Sequence, residues 1–216
     1  PKINRSFKPM IKGVKICGVS DLVTLNYILN HHNSPKFIGF ICNFKASKRY
    51  VPFENLKELI EVNKKKIDFV SVLVNPDDKI LEKLNTLNFD YYQLYDVNPT
   101  RTKFIKEKYK RKIISALTVE RADDVKRYEL YKDISDIILF DGKGYEKSIG
   151  FNHNLLNHVS PNITKMIAGN INIDNIPDLK NIDYFIDLSG SLENDMGKKD
   201  LQKIDNFLNK IKKYEN

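Results

Sequence analysis

The sequence lacks any apolar run long enough to cross a bilayer. Its longest, such as Phe69 to Val74, are strand-length, against the roughly 20 residues a spanning helix needs. Basic residues open the chain from Pro1 to Gly13, but no apolar stretch of about 7–15 residues follows them, so no secretory signal and no membrane partner are expected, and the expected location is cytoplasmic. Cysteine is scarce. The 2 present, Cys17 and Cys42, stand in no metal-type spacing and no small secreted framework, which argues against a structural disulfide and for free thiols in a reducing compartment. The 4 histidines, His31, His32, His153 and His158, show no ligand pairing with carboxylates or cysteines, so no metal is expected. Fixed-period repeats, heptads, low-complexity tracts and Pro- or Gly-rich linkers are missing too. What remains is 216 residues, 41% of them hydrophobic, enough for one core near the lower size limit of an α/β barrel. Residues 1–12 read as a basic N-terminal arm and 13–216 as a single domain.

The formal charge of +8 raises the question of nucleic acid, since clustered Lys and Arg neutralise phosphate. The clustering is weak. Runs such as Lys64 to Lys66 and Lys106 to Lys110 fall at expected helix ends and solvent faces, interleaved with Glu, which is the pattern of a solvated surface. No nucleic-acid partner is expected.

From Val14 onward, short β-branched or aromatic runs alternate with longer amphipathic segments, the signature of a parallel sheet with crossover helices. The expected strands are Val14 to Cys17, Phe37 to Ile41, Phe69 to Val74, Tyr91 to Leu94, Ile113 to Leu117, Ile137 to Phe140, Lys165 to Ala168 and Tyr184 to Leu188. Eight strands close a (βα)8 TIM barrel, whereas open doubly wound sheets of this length usually have fewer. Among the helices, Leu201, Ile204, Leu208 and Ile211 recur at helical spacing behind Asp200 as N-cap, and Asp77, Ile80, Leu81, Leu84 and Leu87 follow Pro76 in the same way. Of the 9 glycines, Gly142, Gly144, Gly150, Gly169, Gly190 and Gly197 all follow Asp141. Loops after strands seven and eight of such a barrel commonly bind phosphate through backbone N–H groups, and glycine allows the close approach.

The segment Lys15-Ile16-Cys17-Gly18-Val19 resembles the Lys-Ile-Cys-Gly opening of the phosphoribosylanthranilate isomerases, the enzymes of the Amadori rearrangement step in tryptophan biosynthesis. Further matches come in the family's order: Phe44 to Tyr50, Val72 to Asn75, Tyr92-Gln93-Leu94, Leu139 to Asp141, Ala168-Gly169, Asp187 to Glu193 and Gly197 to Asp200. The resemblance implies isomerisation of N-(5′-phosphoribosyl)anthranilate, a small phosphosugar, to its 1-deoxyribulose 5-phosphate product by an internal redox reaction without cofactor, in a monomer or homodimer.

The chemistry asks for an acid at the ribose ring oxygen and a base at the adjacent C–H. The resemblance puts Cys17, ending strand one, in the role of base and Asp141, ending strand six, in that of acid. A free cysteine is more often a small buried hydrophobe, and Cys42, which has no matching motif, is read that way. Asp141 must hold its proton near neutral pH, which requires burial or neighbouring charge. Arg49, after strand two, suits bidentate recognition of the anthranilate carboxylate, and Gln93, ending strand four, can hydrogen-bond the sugar or ring. Gly169, Asn170, Ser189 and Gly190 are the expected phosphate loops.

The chain departs from the pattern at Tyr95-Asp96, where the family has His-Gly, and in a shortened loop from Gly142 to Gly150. It also has Gly169-Asn170 in place of Gly-Gly and Ser189-Gly190-Ser191 in place of Ser-Ser-Gly. Asn tolerates left-handed backbone, so an anion nest survives these changes. Two rival functions differ in their demands. An indole-glycerol-phosphate synthase would need catalytic lysines and glutamates on the strands, where this chain has Cys17, Asn75, Gln93 and Asp141. A basic nucleic-acid binder would need Arg and aromatic residues clustered on one surface.

Overall fold

The computed structural model describes residues 11–142, 149–176 and 183–215. Within it the eight expected strands all form: β1 (Ile11–Cys17), β2 (Phe37–Ile41), β3 (Asp68–Val74), β4 (Tyr91–Tyr95), β5 (Lys112–Val119), β6 (Ile137–Gly142), β7 (Lys165–Ile167) and β8 (Tyr184–Leu188). Each pairs in parallel with its sequence neighbours, and β8 returns to β1 with Lys15 opposite Asp187 and Ile16 opposite Leu188, closing the barrel. Ile11 and Lys12, expected in the basic arm, are strand residues. Residues 1–10 and Gly144 lie outside the described residues.

Among the described residues six α-helices cover the outside: α1 (Leu22–Asn30), α2 (Phe53–Ile60), α3 (Asp78–Leu84), α4 (Pro99–Tyr109), α5 (Ala122–Lys126) and α6 (Leu201–Ile211). Four of their starts, those of α1, α3, α4 and α6, are capped by a short side-chain acceptor that satisfies orphan backbone donors. Asp77 Oδ1 accepts from Ile80 N at 2.8 Å, Asn98 Oδ1 from Arg101 N at 2.8 Å, and Asp200 Oδ1 from Gln202 N at 2.9 Å. Leu87, read from its spacing as part of α3, falls beyond the helix end, but still packs on the core from the following turn. α6 buries Ile204, Phe207, Leu208 and Ile211, each contributing about 1.5–3 kcal/mol of burial. The His31–Asp205 contact, at 2.8 Å, ties it to the end of α1.

Strand side chains alternate between two cores. The outward set, with Ile16, Phe40, Leu73, Phe140 and Ile186, packs under the helices. The inward set, with Phe37, Val70, Tyr91, Ile114, Leu139, Met166 and Phe185, fills the barrel. Phe37 meets Tyr91 and Phe185 edge-on, at centroid distances of 5.5 and 5.1 Å, plugging the end from which the strands start. Polar groups are buried inside the barrel towards the opposite end. There Lys15 is fully buried and Gln93 and Asp187 nearly so.

Candidate active site

At the C-terminal ends of the strands a cavity opens to solvent, the place where barrels of this kind gather side chains from several strands. Cys17, Arg49, Gln93 and Asp141 all line it, together with Gly169, Ser189 and Gly190. Closure of one barrel thus brings together residues drawn from β1, β4 and β6 and from the loops after β2, β7 and β8. Asn170 lies beside this group, at φ 52° next to Gly169 at φ 90°.

Cys17 is buried at the tip of β1. Burial holds its thiol above the ordinary value, while the charges of Lys15 and Lys199 work in the opposite direction. Lys15 donates to Asp187 Oδ2 at 2.8 Å across the β1–β8 seam. Burial opposes the lysine's charge, but Asp187 and Cys17 outweigh it and keep the ammonium protonated. Room for this arrangement is made by Gly39 on β2, where an added Cβ would lie 2.9 Å from Cys17 Sγ and 3.0 Å from Lys15 Cε. The second oxygen of Asp187, Oδ1, is buried without a hydrogen-bond partner at the cavity wall. Cys42 behaves as the buried hydrophobe expected: its thiol donates to Phe40 O at 3.2 Å, and burial pushes its pKa up to about 12.

Asp141 stands on β6 with part of its surface open to the cavity. Burial raises its pKa to about 7, against the opposing effect of a hydrogen bond from Tyr95. A carboxyl shifted this far is still partly protonated at neutral pH, where an ordinary Asp is ionised. Tyr95 Oη donates to Asp141 Oδ2 at 2.8 Å, and Gln93 Nε2 donates in turn to Tyr95 Oη at 3.4 Å. Gln93 Oε1 is buried without a partner.

Arg49 arrives from the loop after β2 and crosses the end of β1. Gly18, at φ 79°, permits this crossing, because a Cβ there would come within 2.5 Å of Arg49 Cδ. Its guanidinium is held by Glu193: Nε donates to Oε2 at 2.6 Å and Nη2 to Oε1 at 2.7 Å. Lys199 donates to the same carboxylate at 2.7 Å and reaches Ser189 O and Oγ at 3.2 Å each. Burial alone would raise the pKa of Glu193, but Arg49 and Lys199 bring it down to about 2.

Sequence reasoning gave no role to Lys15, Tyr95, Asp187, Glu193 or Lys199. Four of them sit within matched segments, and Tyr95 is a departure from the pattern, so the signal was present as letters without geometry. Among the described residues no cluster of His, Cys, Asp and Glu could hold a metal ion, and no helix is long and apolar enough to cross a membrane.

A parallel eight-stranded barrel whose mouth holds a thiol, a carboxyl titrating near neutrality and adjoining cations is equipped for acid–base isomerisation of an anionic substrate. The chain belongs to the N-(5′-phosphoribosyl)anthranilate isomerase family: the sequence model of N-(5′phosphoribosyl)anthranilate (PRA) isomerase matches residues 14–210. The N-(5′-phosphoribosyl)anthranilate isomerase of Rhizobium rhizogenes is 32% identical over 209 residues, covering 92% of this chain and 93% of that protein. The phosphoribosylanthranilate isomerase of Thermotoga maritima superposes with a TM-score of 0.80 at 25% identity, over 94% of this chain and 100% of that one. A further such isomerase, in complex with reduced 1-(o-carboxyphenylamino)-1-deoxyribulose 5-phosphate, gives a TM-score of 0.78 with the same coverage. At 24% identity it bears on the fold alone.

Proposed function

We propose that this cavity isomerises N-(5′-phosphoribosyl)anthranilate to 1-(2-carboxyphenylamino)-1-deoxyribulose 5-phosphate, with Asp141 as general acid and Cys17 as general base. The observation that carries the assignment is the pairing, in one cavity, of a carboxyl whose pKa is raised to about 7 with a thiol flanked by a buried ammonium. Asp141 gives its proton to the furanose ring oxygen as the anomeric C–O bond breaks, and the aniline nitrogen lone pair forms the C=N bond. The Cys17 thiolate then takes the proton from the neighbouring carbon, giving the enolamine, which tautomerises to the amino ketose. Oxidation at one carbon balances reduction at the other, so the scheme calls for no cofactor.

Arg49 receives the anthranilate carboxylate on its Nη1–Nη2 edge, since Glu193 occupies the Nε–Nη2 edge. Gln93 offers its unpartnered Oε1 to a sugar hydroxyl. The phosphate is placed in the loops of Gly169, Asn170, Ser189 and Gly190, where two successive left-handed residues and the nearby Lys199 support an anion nest. Among the described residues the strand ends carry no glutamate, which speaks against the synthase alternative. Surface lysines are engaged in pairs such as Lys106–Asp136 at 2.8 Å and Lys64–Asp90 at 2.7 Å, which supports a solvated exterior over a nucleic-acid face. A cytoplasmic enzyme, monomeric or homodimeric, is the setting this reading implies.

A spectroscopic assay with freshly prepared phosphoribosylanthranilate tests the proposal. Turnover is expected, and its absence in folded protein would overturn the assignment.

A further inference from the structure

Tyr95 closes β4 inside the barrel mouth with its phenol almost entirely buried. Its hydroxyl sits in a chain of three side chains: Gln93 Nε2 approaches it at 3.4 Å, and it donates to Asp141 Oδ2 at 2.8 Å. The two oxygens of the carboxyl are thereby made unequal. Oδ2 is engaged by the phenol, whereas Oδ1 lies against Gly169, 3.2 Å from the place a Cβ there would occupy. Burial and the adjacent carboxylate keep the tyrosine well above its ordinary pKa, so it remains a neutral donor throughout the working range.

We propose that Tyr95 is a positioning residue for the acid: its hydroxyl, backed by Gln93, fixes Oδ2 so that the transferable proton resides on Oδ1 at the cavity. The inference rests on the reading of Asp141 as general acid. A donor aimed at the carboxylate also favours release of the proton, because hydrogen bonding to the charged form stabilises it. Other titratable groups around Asp141 come from two strands, Asp187 on β8 and Lys15 and Cys17 on β1. The remaining strands present Ile41, Val72, Val74, Ala116 and Ala168, which do not titrate. The backbone N–H of Gly142 also bonds the carboxyl, and among these side chains the phenol is the one that acts on Asp141 through a directed hydrogen bond and not through charge alone.

Tyr95→Phe removes the hydroxyl and little else. The carboxyl of Asp141 can be followed by 13C NMR titration of the free protein, alongside the pH profile of kcat/KM. Loss of the donor should move the Asp141 midpoint upward by about one pH unit, the scale of a hydrogen bond to a charged group. The limb of the profile that follows Asp141 should move with it, and kcat should fall about tenfold as the carboxyl loses its fixed orientation. Gln93→Leu, which leaves the phenol in place and removes its support, should move the midpoint in the same direction by less, and it serves if the first variant fails to fold. An unshifted midpoint and limb in a folded Tyr95→Phe enzyme, or in Gln93→Leu where only that variant folds, would overturn the role of Tyr95 while leaving the isomerase assignment intact. A parent protein that does not turn over phosphoribosylanthranilate would instead overturn the acid role itself.

Discussion

Arg49 and Glu193, 144 positions apart, meet as a two-pronged ion pair at 2.6 and 2.7 Å beside the cavity. The pair fixes the plane of the guanidinium before substrate arrives, which lowers the entropy lost on binding a carboxylate. A clamp of this kind acts on ground and transition state alike, so Arg49→Ala should raise KM by about 10–100-fold with a much smaller change in kcat. Steady-state kinetics decides it, and an unchanged KM would remove Arg49 from the binding site.

Lys15 and Asp187 form the second buried pair, with Lys15 wholly enclosed by the barrel. Deleting one partner strands the other charge, a loss of about 3–5 kcal/mol. Lys15→Met should therefore unfold at a lower temperature than the parent, by roughly 10 °C for a domain of this size. The double change Lys15→Met with Asp187→Leu should recover much of the loss, since a well-packed apolar pair can replace a buried ion pair. Equal melting temperatures for the parent and the single variant would show that the pair does not hold the barrel seam.

The barrel was legible because parallel strands are short, apolar and rich in β-branched residues, and because eight of them recur between amphipathic segments. Their limits were not, since β1 gains Ile11 to Gly13 by pairing with the distant β8. The candidate residues stood at strand ends or in the loop after one, within recognisable segments, so Cys17, Arg49, Gln93 and Asp141 could be named as candidates, and all four line one cavity. What holds them is non-local. Lys15 on an inward-facing strand position violates the expectation of an apolar interior, and its partner lies 172 positions away. Glu193, Lys199 and Tyr95 acquire meaning only when closure sets them beside Arg49, Ser189 and Asp141.

The pH dependence follows from the two pKa directions. Asp141 holds its proton up to about pH 7, while the Cys17 thiol is held above its ordinary value of 9.0. The productive form carries one proton, on Asp141 with Cys17 ionised. One-proton states predominate only between the two values, so kcat/KM should rise with pH through about 7 and fall again above 9. Cys17→Ser should remove the upper limb from this range, because a hydroxyl does not ionise there. A parent profile that falls through pH 7 and never recovers would contradict the paired assignment.

The strongest expectation concerns the acid and base themselves. Cys17→Ser puts a hydroxyl of far higher pKa where a thiolate is needed, and Asp141→Asn leaves an amide that cannot protonate the ring oxygen. Each should lower kcat by about 10²–10⁴, the usual worth of a general acid or base. Neither change removes much buried apolar volume, so both proteins should keep the circular dichroism spectrum of the parent and still bind a reduced product analogue. Asp141→Asn should retain an acceptor for the Tyr95 hydroxyl, which separates loss of the proton from loss of the contact at 2.8 Å. If the groups work as one unit, the double variant should lose far less than the product of the two single losses, since removing one partner already disables the other. Near-parental kcat in a folded single variant would withdraw the role of that residue, and near-parental kcat in both would mean that proton transfer in this barrel runs through other groups, with Lys15 and Asp187 the next to be changed.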